Sequence, residues 1–438
     1  MEKLEKKNGN GSKKFKFLFV SHEGLIGDLA WQVKKEGNEV KYFIHKMSEK
    51  NVCDGFVEKC DAWEKFVDWA DVIVFDDTGF GGEADMLRKE GKSVIGASAY
   101  GDMLESDREF GQDELKKAGV NILPHWDFTD FDVAVRFIKE HPGRYVLKPN
   151  GKAQNEKELL FVGEEDDGQD VIEVLELYKK NWAKKIKNFQ IQKHAKGVEV
   201  AIGAFFNGKD FITPVFINFE HKRMFPGDIG PSTGEMGTSA YWCPPNKIFE
   251  ETMAKMKAPL AASGYTGYID INCIVNGNGI YPLEFTSRFG YPTISLQIEG
   301  ITSPWGEFLN AMAKGQDYQL KTKGGFQLCV VIAVPPFPFH DPESFRKYSE
   351  DATIIFKRPQ FEGIHLCDTK LVDGDWRLAG VSGYALVVTG AGPTMEMARR
   401  QAYQRIQNIK IPNMFYRTDI GYRWMSDSDR LQGWGYLY

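Results

Sequence analysis

Residues 268–286, YIDINCIVNGNGIYPLEFT, set two apolar segments either side of an Asn/Gly turn. Asn and Gly tolerate positive φ, so NGNG predicts a tight hairpin, and β-branched and aromatic residues suit its strands. Each strand carries one acid, Asp270 and Glu284, and a hairpin would bring them roughly opposite one another. Alternation puts Asn272 on the face of Asp270 and Thr286 on the face of Glu284. Two carboxylates in an apolar hairpin repel and desolvate badly unless a cation lies between them. The oxygen-only set of Asp, Glu, Asn and Thr suits Mg²⁺. The same stretch could also be an edge hairpin with two solvated acids.

At 438 residues the chain has room for two to four domains. Its 42% hydrophobic and 26% charged residues are ordinary for a soluble globular protein. The net charge of −6 argues against a nucleic-acid surface, leaving only a local basic patch as an option. No apolar run reaches the length of a membrane span. The opening MEKLEKKNGNGSKKFK lacks a signal-peptide core and predicts a flexible tail over residues 1–14. Six cysteines lie singly, with no CxxC. That predicts a reduced, cytoplasmic protein with no zinc or disulfide framework.

FKFLFVS, EVKYFIH, WADVIVFDD and SVIGAS read as strands, with the helical stretches GDLAWQVKKEG and TGFGGEADMLRKEG among them. Such alternation predicts a parallel sheet covered on both faces, with ligands beyond its strand carboxyl ends. The loops SHEGLIGD and DDTGFGGEAD belong there, and neither is a dinucleotide fingerprint. SDREFGQDELKKAG predicts a helix capped by Ser106 and Glu109 and stopped at Gly119. RYVLKPNG reads as a strand, KNFQIQKHAKGVEVAIGAFFNG as two, KIFEETMAKMKAPLAASG as one helix, and QDYQLKTKGG as a polar linker.

Some residues point to chemistry. Lys148 leaves its strand into a Gly-containing loop, which suits a phosphate or a snorkelling lysine. Glu199, alternating with apolar residues, could take a ribose hydroxyl or face solvent. HKRMFPGDIGPSTGEMG, residues 221–237, joins three potentially cationic side chains to a Gly/Ser/Thr-rich loop whose N–H groups can surround an anion. Arg288, just after the hairpin, is placed to hold a carboxylate or phosphate through two donors.

In their order these stretches resemble the ATP-grasp ligases, and within them the glycinamide ribonucleotide synthetase (phosphoribosylamine–glycine ligase) family. The resemblance spans roughly residues 15–425 and is carried by HKRMFPGDIGPSTGEMG, GYTGYIDINCIVNGNGIYPLEFTSRFG, GYALVVTGAGPTMEMARRQAYQRI and FYRTDIGYR. It implies an α/β chain: an ATP-grasp fold preceded by a parallel-sheet, Rossmann-like domain and followed by a small α+β domain. The implied divisions are an amino-terminal substrate-binding domain (15–120), a lid (121–192), a catalytic subdomain (193–322) and a carboxy-terminal domain (323–438). The implied activity joins a carboxylate to an amine through an acyl phosphate, as in purine biosynthesis. Its implied cofactors are ATP and Mg²⁺ (or Mn²⁺), its partners a small amino acid and an amine, and its form a monomer or homodimer.

Carried over by position, the resemblance gives ATP contacts to Arg108, Lys148, Lys157, Gln192, Lys193, Ala195 and Glu199. Substrate contacts fall on Gly24, Gly27, Asp77, Lys222, Arg223, Ser232, Thr233, Arg288 and Gly290. Asp270, Glu284 and Thr286 hold the metal, and Lys148 and Arg288 are catalytic. Several stretches depart from the family. The glycine-rich lid after the strand lysine is here PNGKAQNEKELL, the other nucleotide lysine is Arg108, and the metal-ligand Asn is Thr286. RFGDPE is RFGYPT, GGRE is HEGLIGD, and GPEAPL is DDTGFGG. The altered loops bring in Glu23, Asp28, Asp76, Asp77 and Glu83, which predicts an amine without the 5-phosphate or with extra positive charge. Two other readings stand beside an active ligase. One is a non-catalytic nucleotide-binding regulator; the other is an ATP-grasp enzyme acting on a nucleobase, peptide or carrier protein.

Overall fold

The computed structural model describes residues 14–96, 98–150 and 159–437. The expected tail and the lid segment holding Lys157 therefore lie outside the described residues.

The first strands are β1 (Lys16–Ser21), β2 (Glu39–Ile44), β3 (Val72–Phe75) and β4 (Val94–Ile95). They form a parallel sheet in the order β2-β1-β3-β4. Helices α1 (Gly27–Lys35), α2 (Gly81–Lys89) and α3 (Ala99–Ser106) follow strands β1, β3 and β4. Strands β1, β3 and β4 are almost continuously buried because both faces are covered, whereas the edge strand β2 alternates. Helix α4 (Arg108–Lys117) begins one residue later than the sequence suggests. Asp107, not Ser106, is the N-cap and accepts from the Phe110 N–H at 3.1 Å, while Ser106 ends α3. Gly119, at φ +74°, stops the helix as expected.

Strands β5 (His125–Phe128), β6 (Tyr145–Pro149), β7 (Phe161–Val162) and β8 (Phe189–Lys193) make a second sheet, ordered β5-β8-β6-β7. Helices α5 (Phe131–Glu140) and α6 (Gln169–Asn181) pack on it through a separate apolar core.

An eight-stranded antiparallel sheet forms the centre. It takes in β9 (Val198–Asn207), β10 (Phe211–Glu220), β13 (Gly237–Cys243), β14 (Thr266–Asn276) and β15 (Gly279–Thr286). The small hairpin β11 (Arg223–Phe225) and β12 (Ile229–Ser232) projects between β10 and β13. Beyond residue 323 the same sheet continues through β16 (Phe326–Ala333). The short strands β17 (Ile355–Phe356), β18 (Ile364–Leu366), β19 (Thr369–Val372) and β20 (Asp375–Leu378) then lead to β21 (Tyr384–Gly392). The central order is β15-β14-β9-β10-β13-β16-β21-β18, so strands on both sides of the polar stretch 316–325 share one sheet.

The single helix expected over 247–264 is broken into α7 (Lys247–Glu251), a 3₁₀ turn (Met253–Met256) and α8 (Lys257–Ala262). Pro259 has no N–H to donate, so a helix holding it must restart within the preceding turn. Thr252 marks the break with φ −125° and ψ −87°. Helices α9 (Thr293–Gly300) and α10 (Trp305–Ala313) carry the chain under α1, where Leu29, Val33, Trp305, Phe308 and Met312 share one core. Three further helices complete the chain: α11 (Pro342–Tyr348), α12 (Met395–Ile406) and α13 (Trp424–Gly433).

Candidate active site

The hairpin forms as read, with a two-residue turn closing on the pair Asn276 and Gly279. Its register refines the expectation. Asp270 lies opposite Thr286, and Asn272 opposite Glu284, so the acids are diagonal rather than directly opposed. Directly opposed residues share a face, and all four side chains are therefore on one side of the sheet. On the next strand Gly203 faces Asp270. A Cβ there would lie 2.6 Å from the Asp270 Cβ, so glycine is what admits the acid.

The cation beside Glu284 is Lys222, just beyond β10, and it does not pair with Asp270. Its Nζ lies 2.8 Å from Glu199, 3.4 Å from Glu220 and 3.3 Å from Glu284. Asn272 Nδ2 donates to Glu199 at 3.0 Å and Glu220 at 3.2 Å. Glu199 thus faces this cluster rather than solvent. Burial works against the Lys222 ammonium, but Glu199 and the two other carboxylates outweigh it and hold its pKa well above the usual value. Lys222, helped by Arg108 and Lys148 against burial, pulls Glu284 down to about 2. Asp270 goes the other way. Burial, and then Glu220, push it up to about 8.

From the second sheet, Lys148 on β6 comes to the same cluster. It is 7% exposed, and burial and then Arg108 bring it down to about 7. Arg108, the first residue of α4, donates to the Pro149 carbonyl at 2.8 Å and to Asn150 Oδ1 at 3.4 Å. A phosphate between Lys148, Arg108 and the hairpin would favour both charged forms. Gln192 is buried with Nε2 unpartnered. Lys193 has its side chain exposed and donates its backbone N–H to Pro124 at 2.8 Å, and Ala195 is half-buried in the turn that follows.

Arg288 is held between two acids. Its Nε lies 3.2 Å from Glu105 and 3.6 Å from Asp77, and Nη1 donates to the Phe289 carbonyl at 2.9 Å. Burial alone would lower its pKa; Glu105 and Asp77 raise it instead. Gly290 turns tightly, since a Cβ would lie 2.9 Å from Thr293. Gly24, at φ +95°, donates its N–H to Ser21 Oγ at 2.7 Å, and Gly27 opens α1 against Cys53.

Arg223 and Ser232 pair across the β11–β12 hairpin. Thr233 Oγ1 donates to the Lys222 carbonyl at 3.1 Å. The hairpin is held from behind by residues that only the carboxy-terminal resemblance hinted at. Arg417, fully buried, donates to the Arg223 carbonyl at 2.9 Å and pairs with Asp228 at 2.8 Å and Asp419 at 2.7 Å. Arg423 donates to the Glu220 carbonyl at 2.8 Å. Glu105, Glu220 and Gly203 were likewise missed. Glu220 lies two residues before Lys222 on an alternating strand, which was the available signal.

The expected acidic loops need correction. Asp28 turns away from the loop, with its Oδ2 2.8 Å from His365 Nδ1. Asp76 is buried and takes the Ser21 hydroxyl, and Glu23 pairs with Lys46 at 2.6 Å. Only Asp77 of that set meets Arg288.

The donors fit a hard divalent cation. Glu284 is a half-exposed, ionised carboxylate (side chain 52% exposed), and Thr286 lies on the same face. Asp270 Oδ1 and Asn272 Oδ1 are buried with no hydrogen-bond partner. Among the described residues no group of three His, Cys, Asp or Glu could hold a metal. The protein would thus supply part of an oxygen shell, as is usual for Mg²⁺.

A lysine-bearing sheet beside a carboxylate hairpin, over residues 106–294 that match an ATP-grasp domain, makes this an ATP-grasp protein. The structure overlays a biotin carboxylase from Campylobacter jejuni at a TM-score of 0.64, with 13% identity over 97% of each chain. More narrowly, the chain belongs to the phosphoribosylglycinamide synthetase family. Residues 106–294 match that family's ATP-grasp (A) domain and residues 327–423 its C domain. Curated relatives are the phosphoribosylamine–glycine ligases of Clostridium acetobutylicum and Listeria monocytogenes. The first is 24% identical over 426 residues, covering 93% of this chain and 99% of the relative. The second is 27% identical over 356 residues, covering 78% and 81%. A phosphoribosylamine–glycine ligase structure from Thermotoga maritima gives a TM-score of 0.71 at 22% identity, covering 92% of this chain and all of that one.

Proposed function

We propose that the protein is an ATP-dependent carboxylate–amine ligase, working in the cytoplasm as a monomer or homodimer. One observation carries this reading: Arg108 of α4, bonded to the Pro149 carbonyl beside Lys148, joins Lys148 in bringing positive charge to Glu284, and four residues later the chain presents Arg288. The relatives' name, phosphoribosylamine–glycine ligase, supports the same reaction class.

In this reading a carboxylate oxygen of the acid attacks the γ-phosphorus of ATP. The bond to the bridging oxygen breaks and ADP leaves. The amine nitrogen then attacks the acyl carbon, the bond to phosphate breaks, and the nitrogen loses a proton. Lys148 and Arg108 bind phosphate oxygens, where fixed cations stabilise the developing charge. Gln192, Lys193 and Ala195 bound the adenine, and Glu199 takes the ribose from its place beside Lys222. Arg288 anchors the acid's carboxylate, sharing its donors with Glu105. Lys222, Arg223, Ser232 and Thr233 border the acyl phosphate. Glu284 and Thr286, with Asp270 beside them, would hold Mg²⁺ or Mn²⁺, which neutralises phosphoryl oxygens when bound. No helix among the described residues is long and apolar enough to cross a membrane.

Chromatography of the nucleotide products tests this. ADP with phosphate is expected, and Glu284→Gln should abolish its formation while the fold persists. AMP with pyrophosphate as the main products would refute the reading.

A further inference from the structure

Helices that leave the carboxyl ends of a parallel sheet offer their first N–H groups to anionic ligands. Here α2 and α3 fill each other's N-termini with the chain's own carboxylates. Gly81 N–H, opening α2, donates to Asp102 Oδ2 of α3 at 2.7 Å. Ala99 N–H, opening α3, donates to Asp85 Oδ2 of α2 at 3.0 Å. The contact is close, since a Cβ on Gly81 would lie 2.5 Å from the Ser98 carbonyl. The loop before α2 is covered too. His22 stacks on Phe80 at 3.9 Å, and its Nε2 lies 3.1 Å from the Thr78 carbonyl.

Positive charge at this edge is already engaged, with Lys46 on Glu23 and Arg288 between Glu105 and Asp77. What stays unpaired is an acceptor. Asp76, 1% exposed at the end of β3, keeps Oδ1 without a hydrogen-bond partner. A dianion entering here would meet Asp102 where it needs a donor, and like charges at short range repel strongly once desolvated.

We propose that the amine co-substrate carries no phosphate group and is neutral or cationic, with Asp102 the residue that closes the α2 N-terminus to a phosphate. This rests on the ligase reading and names its amine. The register of charges alone could serve helix capping, so the test must read ligand selectivity rather than stability.

Isothermal titration of the full chain with ribose 5-phosphate, and with ribose as control, gives that readout. The titrations include a non-hydrolysable ATP analogue with Mg²⁺. Wild type should bind ribose 5-phosphate no better than ribose. Asp102→Ala, which removes both cap and charge, should gain about tenfold or more for the phosphorylated sugar. Asp102→Asn keeps the cap, drops the charge and should gain less; it serves if the alanine variant does not fold. Wild-type preference for ribose 5-phosphate would overturn the proposal. So would the absence of any gain in the folded variants. Failure to bind the ATP analogue would count against the ligase reading and leave the Asp102 comparison intact.

Discussion

Asp270 and Glu284 are the same functional group in the same hairpin, yet the structure sends them in opposite directions. Glu284 has Lys222 beside it and falls to about 2, whereas burial and then Glu220 outweigh Arg288 at Asp270 and push it up to about 8. A depressed carboxyl stabilises the fold above its unfolded pKa, about 4.3, and loses that contribution as pH falls toward 2. A raised carboxyl costs stability progressively as pH climbs from about 4 to 8. Glu284→Gln should therefore lower Tm at neutral pH, with the deficit closing in acid. Asp270→Asn should raise Tm by an amount that grows toward pH 8, where the stability gain is on the order of a few kcal/mol. Melting curves of the two single variants from pH 3 to 9 check this, and parallel curves would contradict it. The acids and their oxygen neighbours were legible from alternation. Their environment was not, because Gly203 and Lys222 reach them through strand neighbours distant in sequence.

At the scale of elements, the β11–β12 hairpin is held by a buried arginine from near the carboxyl terminus. Breaking a buried ion pair by removing one partner costs about 3–5 kcal/mol. Arg417→Met should fall at or below the low end of that range, because Asp228 is 44% exposed and can rehydrate. It should also slow turnover by about tenfold, about 1.4 kcal/mol in the barrier, while nucleotide binding stays near wild type. Melting curves with steady-state kinetics check both parts, and unchanged turnover would mean the hairpin does not need this support. Element types were mostly legible in the sequence, since apolar runs and turn residues are local signals. The misplaced cap at Ser106 and the broken helix at Thr252 were not. Asp107 offers the same capping oxygen one residue later, and the helical periodicity continues through Pro259.

Across the whole molecule, one sheet runs from the β14–β15 hairpin to the carboxy-terminal strands, and α1 is tied to that far end. His365 bridges Asp28 of α1 and Thr389 of β21, at 2.8 and 3.0 Å, and Glu299 of α9 accepts from Thr389 at 3.0 Å. The loop that opens α1 and the loop carrying Arg288 are thus set against one continuous framework. The order of units was legible through the family resemblance, whereas the sharing of one sheet across residue 322 depends on β13–β16 pairing that local patterns do not encode. The central claim is that this framework brings an acid, an amine and ATP together through an acyl phosphate. Glycine labelled with ¹⁸O in its carboxylate, with hydroxylamine as the accepting amine and ATP–Mg²⁺, tests it most directly. Phosphorus NMR of the products should show ADP and inorganic phosphate carrying one ¹⁸O per hydroxamate formed. Phosphate without label, or label found in AMP, would contradict the account.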